Sequence, residues 1–129
     1  MEEWMPMTAK NVIIVEDDPQ LGLLTREIIS SIGIQTRLVD DGALALQAIA
    51  ETQPDLVILD MHLPNVSGAE ILSRLRADPA LKDTKVLIST ADTAMIEANE
   101  TLANGCIVKP FDMKQLIDAV RSQIASSVS

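Results

Sequence analysis

The sequence predicts an α/β protein built on a doubly wound, five-stranded parallel sheet. Short aliphatic runs alternate five times with stretches of helical periodicity. Several of those runs are continuous and β-branched, as strands covered on both faces require. Right-handed crossovers then put helices on both sides of the sheet and direct the search for a ligand site to the carboxyl ends of the strands.

The elements follow in order. Residues 11–16 (NVIIVE) form the first strand. In the helix after it, Leu21, Leu24, Ile28 and Ile32 recur at steps of three or four and share one face. Residues 34–39 and 55–60 are the second and third strands, with the second helical stretch between them. Gly68, Leu72 and Leu75 mark the inner face of the third helix. Residues 85–90 form the fourth strand. The stretch 94–104 has few large apolar residues, with Glu97, Asn99, Glu100 and Asn104 scattered through it, so a short or mobile helix is expected there. Residues 106–109 are the fifth strand. Leu116, Val120 and Ile124 define the last helix, and Asp112 with Gln115 three residues on has the spacing of a capping box that starts it. The domain is expected over residues 11–125, after an N-terminal extension at 1–10 and before a tail at 126–129 that frays by composition.

A chain of 129 residues holds one domain that can bury a core unaided. Its net charge of -9 repels nucleic acid phosphates, so direct DNA binding is not expected and the partners should be proteins. The single cysteine, Cys106, cannot bridge internally and is read as a small buried apolar residue. No zinc-site spacing, export signal or transmembrane run is present in the sequence, so a cytoplasmic protein is expected, with no membrane partner.

Chemistry gathers at the strand ends. Glu16, Asp17 and Asp18 end the first strand and Asp60 ends the third. Two carboxylates about 4 Å apart at an effective dielectric near 20 repel by roughly 4 kcal/mol, so a shared cleft requires protons or a cation. Oxygen-only ligands suit a hard ion, and Mg²⁺ binds through one or two carboxylates, retained waters and a phosphate oxygen. Asp18 and Asp55 are read as cap or loop acids. Thr90 ends the fourth strand and Lys109 the fifth, just before Pro110. A carboxylate nucleophile, a cation, a hydroxyl and an ammonium together suit one phosphoryl group.

VEDD at residues 15–18, DMHLPNVSG at 60–68, STA at 89–91 and KPF at 109–111, in this order and all at strand ends, resemble the receiver domain of bacterial response regulators. The resemblance implies the flavodoxin-like strand order 2-1-3-4-5. It implies that Asp60 is the phosphoacceptor, that Glu16, Asp17, Asp60 and the backbone carbonyl of His62 hold Mg²⁺ or Mn²⁺, and that Thr90 and Lys109 contact the phosphoryl oxygens. Ala91 would be kept small for access, and Lys109-Pro110 would be cis. The His62 side chain and Asp92 are read as exposed modulators near the acyl phosphate.

Thr90 and Lys109 lie closer in sequence than in a typical receiver, and Cys106 stands where many receivers carry an inward-swinging aromatic. The module is therefore expected to switch by ordering or shifting residues 94–104. The expected function is that of a complete single-domain response regulator, which takes phosphate from a sensor histidine kinase or phosphotransfer protein and changes its affinity for a downstream protein. It would not be an enzyme beyond assisting its own phosphorylation and dephosphorylation. A phosphate sink, a relay intermediate and the receiver of a hybrid histidine kinase remain open beside it. A Mg-dependent aspartyl phosphatase is disfavoured because His62 stands where that chemistry wants a second acid. A flavin or nucleotide carrier is disfavoured because the loop after the first strand is acidic.

Overall fold

In a computed structural model, which describes residues 10–126, the chain forms the expected five strand and helix pairs. They are β1 (Asn11–Val15), α1 (Pro19–Ser31), β2 (Gln35–Val39), α2 (Gly42–Thr52), β3 (Leu56–Asp60), α3 (Gly68–Ala77), β4 (Val86–Thr90), α4 (Thr93–Asn99), β5 (Gly105–Val108) and α5 (Met113–Ser126). All strand pairs are parallel and the sheet order is β2-β1-β3-β4-β5. The expected extension lies outside the described residues except for Lys10, as does the expected tail beyond Ser126.

Side-chain alternation along the central strands divides the core into two layers. Ile13 and Val15 of β1 pack with Ala45, Ile49, Ile71, Leu72 and Leu75 of α2 and α3. Val12 and Ile14 pack on the opposite side with Ile29, Leu116, Val120 and Ile124 of α1 and α5. The inner faces predicted for the third and last helices are buried as expected. At the start of α5, Asp112 accepts from the Gln115 amide at 2.7 Å, and the Gln115 side chain accepts from the Asp112 amide at 2.8 Å. This is the reciprocal pairing that the spacing implied.

Three expectations need correction. The face of α1 is rotated: Gly22, Thr25 and Ile29 are buried, while Leu24 is 52% exposed and Ile28 and Ile32 only flank the core. Gly22 makes this possible by letting the helix approach β2, where a Cβ would stand 3.0 Å from Leu38. The sheet is covered on both faces only at its centre, since the edge strands β2 and β5 are partly open. Cys106 is exposed, not buried. It lies on edge strand β5, on the side opposite the inward-facing Ile107, and α4 has only 7 residues with which to cover that side.

The remaining helices start from side-chain caps: Asp18 for α1, Asp41 for α2, Ser67 for α3 and Asp92 for α4. Asp18 is thus a cap, as read from sequence. Asp55 accepts from the Asn11 amide at 2.8 Å and ties the start of β3 to that of β1. All four capping loops follow the carboxyl ends of strands, where the acidic residues converge.

Candidate functional site

Parallel pairing of β1 and β3 sets Val15 opposite Leu59, so Glu16 and Asp60 emerge side by side at the sheet's edge. Carboxylate oxygens of Glu16, Asp17 and Asp60 lie within 4.8 Å of one another. Glu16 and Asp60 are buried and Asp17 is exposed. The Lys109 Nζ sits 2.7 Å from Glu16 Oε1 and 3.6 Å from Asp60 Oδ2. On their other sides, Asp60 Oδ1 accepts from the His62 amide at 3.1 Å and Glu16 Oε2 from the Asp18 amide at 3.2 Å. Asp60 Oδ2 therefore faces the lysine, and Oδ1 is held by its own loop.

Three acids and one cation leave the cluster short of positive charge. Burial pushes the Glu16 carboxyl up to about 7, and the neighbouring Asp60 carboxylate adds to the rise, against the opposing hydrogen bond from Lys109. The donors are all hard oxygens, two walled in and one open to solvent. That set fits a small divalent cation that keeps part of its water shell.

Thr90 is buried at the end of β4, where its Oγ1 accepts from the Asp92 amide at 3.1 Å. The β4 and β5 ladder pairs Thr90 with Val108, and the Lys109 amide donates to the Thr90 carbonyl at 3.0 Å, so Thr90 and Lys109 are neighbours. The peptide between Lys109 and Pro110 is cis, as the resemblance implied. Ala91, Lys109, Pro110 and Phe111 line an open depression of about 410 Å³ with Leu21 and Leu24. The His62 side chain is 63% exposed and reaches Asp92 Oδ2 at 3.4 Å. The sequence-predicted side chains thus come together, with His62 and Asp92 paired at the rim.

The sequence reading missed what holds the loop after β3. Asn65, at φ 69°, donates to the Asp41 side chain at 2.8 Å. Gly42 and Gly68 allow close backbone approach, since a Cβ at Gly42 would stand 1.9 Å from the Val66 carbonyl oxygen and one at Gly68 only 2.3 Å from that of Asp60. The Asp41-Gly42 pair just before an apolar helix was the available signal.

The sequence model of the response regulator receiver domain matches residues 12–121. The chain is a receiver domain of the response regulator family. This receiver is 33% identical to sporulation initiation phosphotransferase F of Bacillus subtilis, over 92% of its own length and 96% of the relative's. It is 31% identical to the polar-differentiation response regulator DivK of Brucella anthropi, covering 98% of that protein. It also matches the DNA-binding response regulator MtrA of Mycolicibacterium smegmatis at 31% identity over 93% of this chain, but spans only about half, 53%, of that relative's length. A crystal structure of a response regulator from Chloroflexus aurantiacus superposes with a TM-score of 0.85 at 28% identity, covering 90% of this chain and 98% of that one. The Vibrio cholerae chemotaxis protein CheY4, at 23% identity over 88% of this chain and 97% of its own, shares the fold with a TM-score of 0.81. Among the described residues of the receiver, no helix is long and apolar enough to cross a membrane.

Proposed function

We propose that Asp60 is the phosphoacceptor of a phosphorelay and that its phosphorylation changes the affinity of this module for a protein partner. The observation that carries the reading is the convergence of the Glu16, Asp17 and Asp60 oxygens within 4.8 Å, with the Lys109 ammonium against two of the three. An Asp60 carboxylate oxygen attacks phosphorus, and the bond from phosphorus to the donor's imidazole nitrogen breaks as the acyl phosphate forms. The Lys109 ammonium and the Thr90 hydroxyl donate to the phosphoryl oxygens, and both are already held at neighbouring strand ends. Glu16, Asp17, Asp60 and the backbone carbonyl of His62 would hold Mg²⁺ or Mn²⁺, which when bound neutralises charge developing on the phosphoryl group. His62 and Asp92 border the site and modulate access to it.

The module is a phosphoacceptor that assists its own phosphorylation and dephosphorylation, not an enzyme acting on a separate substrate. Its donor is a sensor histidine kinase or a phosphotransfer protein, received on the depression lined by Leu21, Leu24 and Phe111 beside Lys109. On this reading it acts in the cytoplasm and touches neither DNA nor membrane directly. A relay intermediate that passes the phosphoryl group on is a second reading, favoured by likeness over nearly the whole length of a relative named a phosphotransferase.

Incubation with acetyl phosphate and Mg²⁺, followed by intact mass measurement, tests the central point. The native chain should gain the mass of one phosphoryl group, and Asp60→Asn should gain none. Equal labelling of the two, or labelling that survives chelation of the cation, would overturn the reading.

A further inference from the structure

Asn65, at φ 69°, is the centre of a three-residue turn in which the Val66 amide donates to the Pro64 carbonyl at 2.8 Å. A turn of this kind with a positive central φ is the rare, strained form, and such strain persists only where the surroundings hold it. Asparagine tolerates that φ better than most residues, but tolerance does not select one path for the loop.

Contacts around the loop make the selection. The Gly68 amide donates to the Met61 carbonyl at 3.2 Å and closes the loop at its base, and the His62 amide donates to Asp60 Oδ1 at 3.1 Å. From outside the loop, Asp41 Oδ2 accepts from Asn65 Nδ2 at 2.8 Å. The other oxygen of that carboxylate, Oδ1, accepts from the Ala43 amide at 2.7 Å as the N-cap of α2. One side chain thus joins the start of α2 to the crest of the neighbouring loop. The backbones are seated on each other as well, since a Cβ at Gly42 would stand 1.9 Å from the Val66 carbonyl oxygen and 3.2 Å from that of Pro64. Asp41 is itself placed by the sheet. Strand β2 pairs with β1 as far as Val39 and Val15, and the Glu16 amide donates to the Val39 carbonyl at 2.9 Å, just before Asp41. Asn65 is therefore tied, through Asp41 and β2, to the strand end that carries Glu16 and Asp17.

We infer, on the phosphoacceptor reading of Asp60, that Asp41 is a positioning residue for the cation: through Asn65 it holds the loop 61–67 so that the His62 backbone carbonyl stays in place beside the three carboxylates. Capping α2 takes one carboxylate oxygen and does not account for the second. A carbonyl ligand brings no net charge to attract an ion, so its contribution depends on being in place beforehand. An outer partner of this kind changes how tightly the metal is held rather than what the metal does. Loss of the Asp41 to Asn65 bond should therefore weaken cation binding and leave phosphorylation at saturating cation intact.

Titration of the full chain with Mn²⁺, its free fraction read by electron paramagnetic resonance, tests this beside acetyl phosphate labelling at limiting and saturating Mn²⁺. Asn65→Gly keeps the positive φ accessible, leaves the cap of α2 untouched and removes the bond. Its Mn²⁺ affinity should fall about fivefold, the ratio matching one hydrogen bond of ordinary net strength. Labelling should slow by a similar factor at limiting Mn²⁺ and return to the native rate at saturation. Asp41→Ser, whose hydroxyl can still cap α2 but has no second oxygen for Asn65, should give the same pattern, and it decides the case if Asn65→Gly does not fold. Asp41→Asn should stay near the native affinity, because the Asn65 amide can turn over and present its oxygen. Native affinity in Asn65→Gly and Asp41→Ser, or labelling that stays slow at saturating Mn²⁺, overturns the inference and leaves the phosphoacceptor standing. A loss in Asp41→Asn equal to that in Asp41→Ser would make the effect one of charge and overturn it likewise. A native chain that gains no phosphoryl mass overturns both.

Discussion

Glu16 is the residue on which the charge balance of the site turns. Its carboxyl, ordinarily near 4.5, is raised to about 7, chiefly by burial. Between those values the folded chain holds a proton that the unfolded chain has released, so stability falls as pH rises through the window. Urea midpoints of the metal-free protein should therefore decline from about pH 4.5 to about 7, and Glu16→Gln should remove that part of the slope. A native profile no steeper than that of the variant would refute the assignment. A cation must displace the same proton, so Mg²⁺ affinity should climb through the window and level off above it.

At the scale of elements, the strands were legible and the loops were not. Each strand lies within one residue of its sequence assignment at either end; for the central strands β1, β3 and β4 this is because a continuous apolar run covered on both faces leaves little freedom. The same logic put Glu16, Asp60, Thr90 and Lys109 at one edge, since parallel strands must all end there. Cys106 was misread because burial of a free thiol is a tendency of residue types, whereas its exposure comes from a short α4 beside an edge strand. The Asn65 to Asp41 contact and the hydrogen bonds from Arg76 to the Leu102 carbonyl and Asn104 Oδ1 depend on rotamers and loop paths that no periodicity encodes.

The β3 to α3 junction offers an element-scale prediction. A Cβ at Gly68 would collide with backbone of Asp60 and Met61, which cannot yield as a flexible side chain could. Gly68→Ala should either shift α3 or move the Asp60 carbonyl, costing on the order of 1–3 kcal/mol in chemical denaturation as an overpacking change. It should also slow labelling by acetyl phosphate. Gly22→Ala, whose new methyl would meet only the end of the Leu38 side chain, should cost less and leave labelling unchanged. The reverse order would mean that α3 is not what holds the acceptor in place.

For the whole molecule, a strongly acidic chain concentrates part of its repulsion at the one sheet edge where function requires it. The two core layers oppose that repulsion with buried aliphatic surface, and Lys109 does so with a single charge. A divalent cation that binds the folded cluster and not the unfolded chain adds stability of RT ln(1 + [L]/Kd), about 1.4 kcal/mol at ten times Kd. Melting should therefore shift upward by a few degrees as Mg²⁺ is added, then continue with the shallow logarithmic slope of one site. General screening of a charge of -9 would also raise the melting temperature, but NaCl at matched ionic strength supplies that screening without the site. The difference between the two titrations isolates the cluster. Asp17→Asn, a change at the exposed member of the cluster, should leave the metal-free melt nearly where it was and shrink that difference. If the difference survived the substitution unchanged, Asp17 would be no ligand, and the cation would rest on Glu16, Asp60 and the backbone carbonyl of His62.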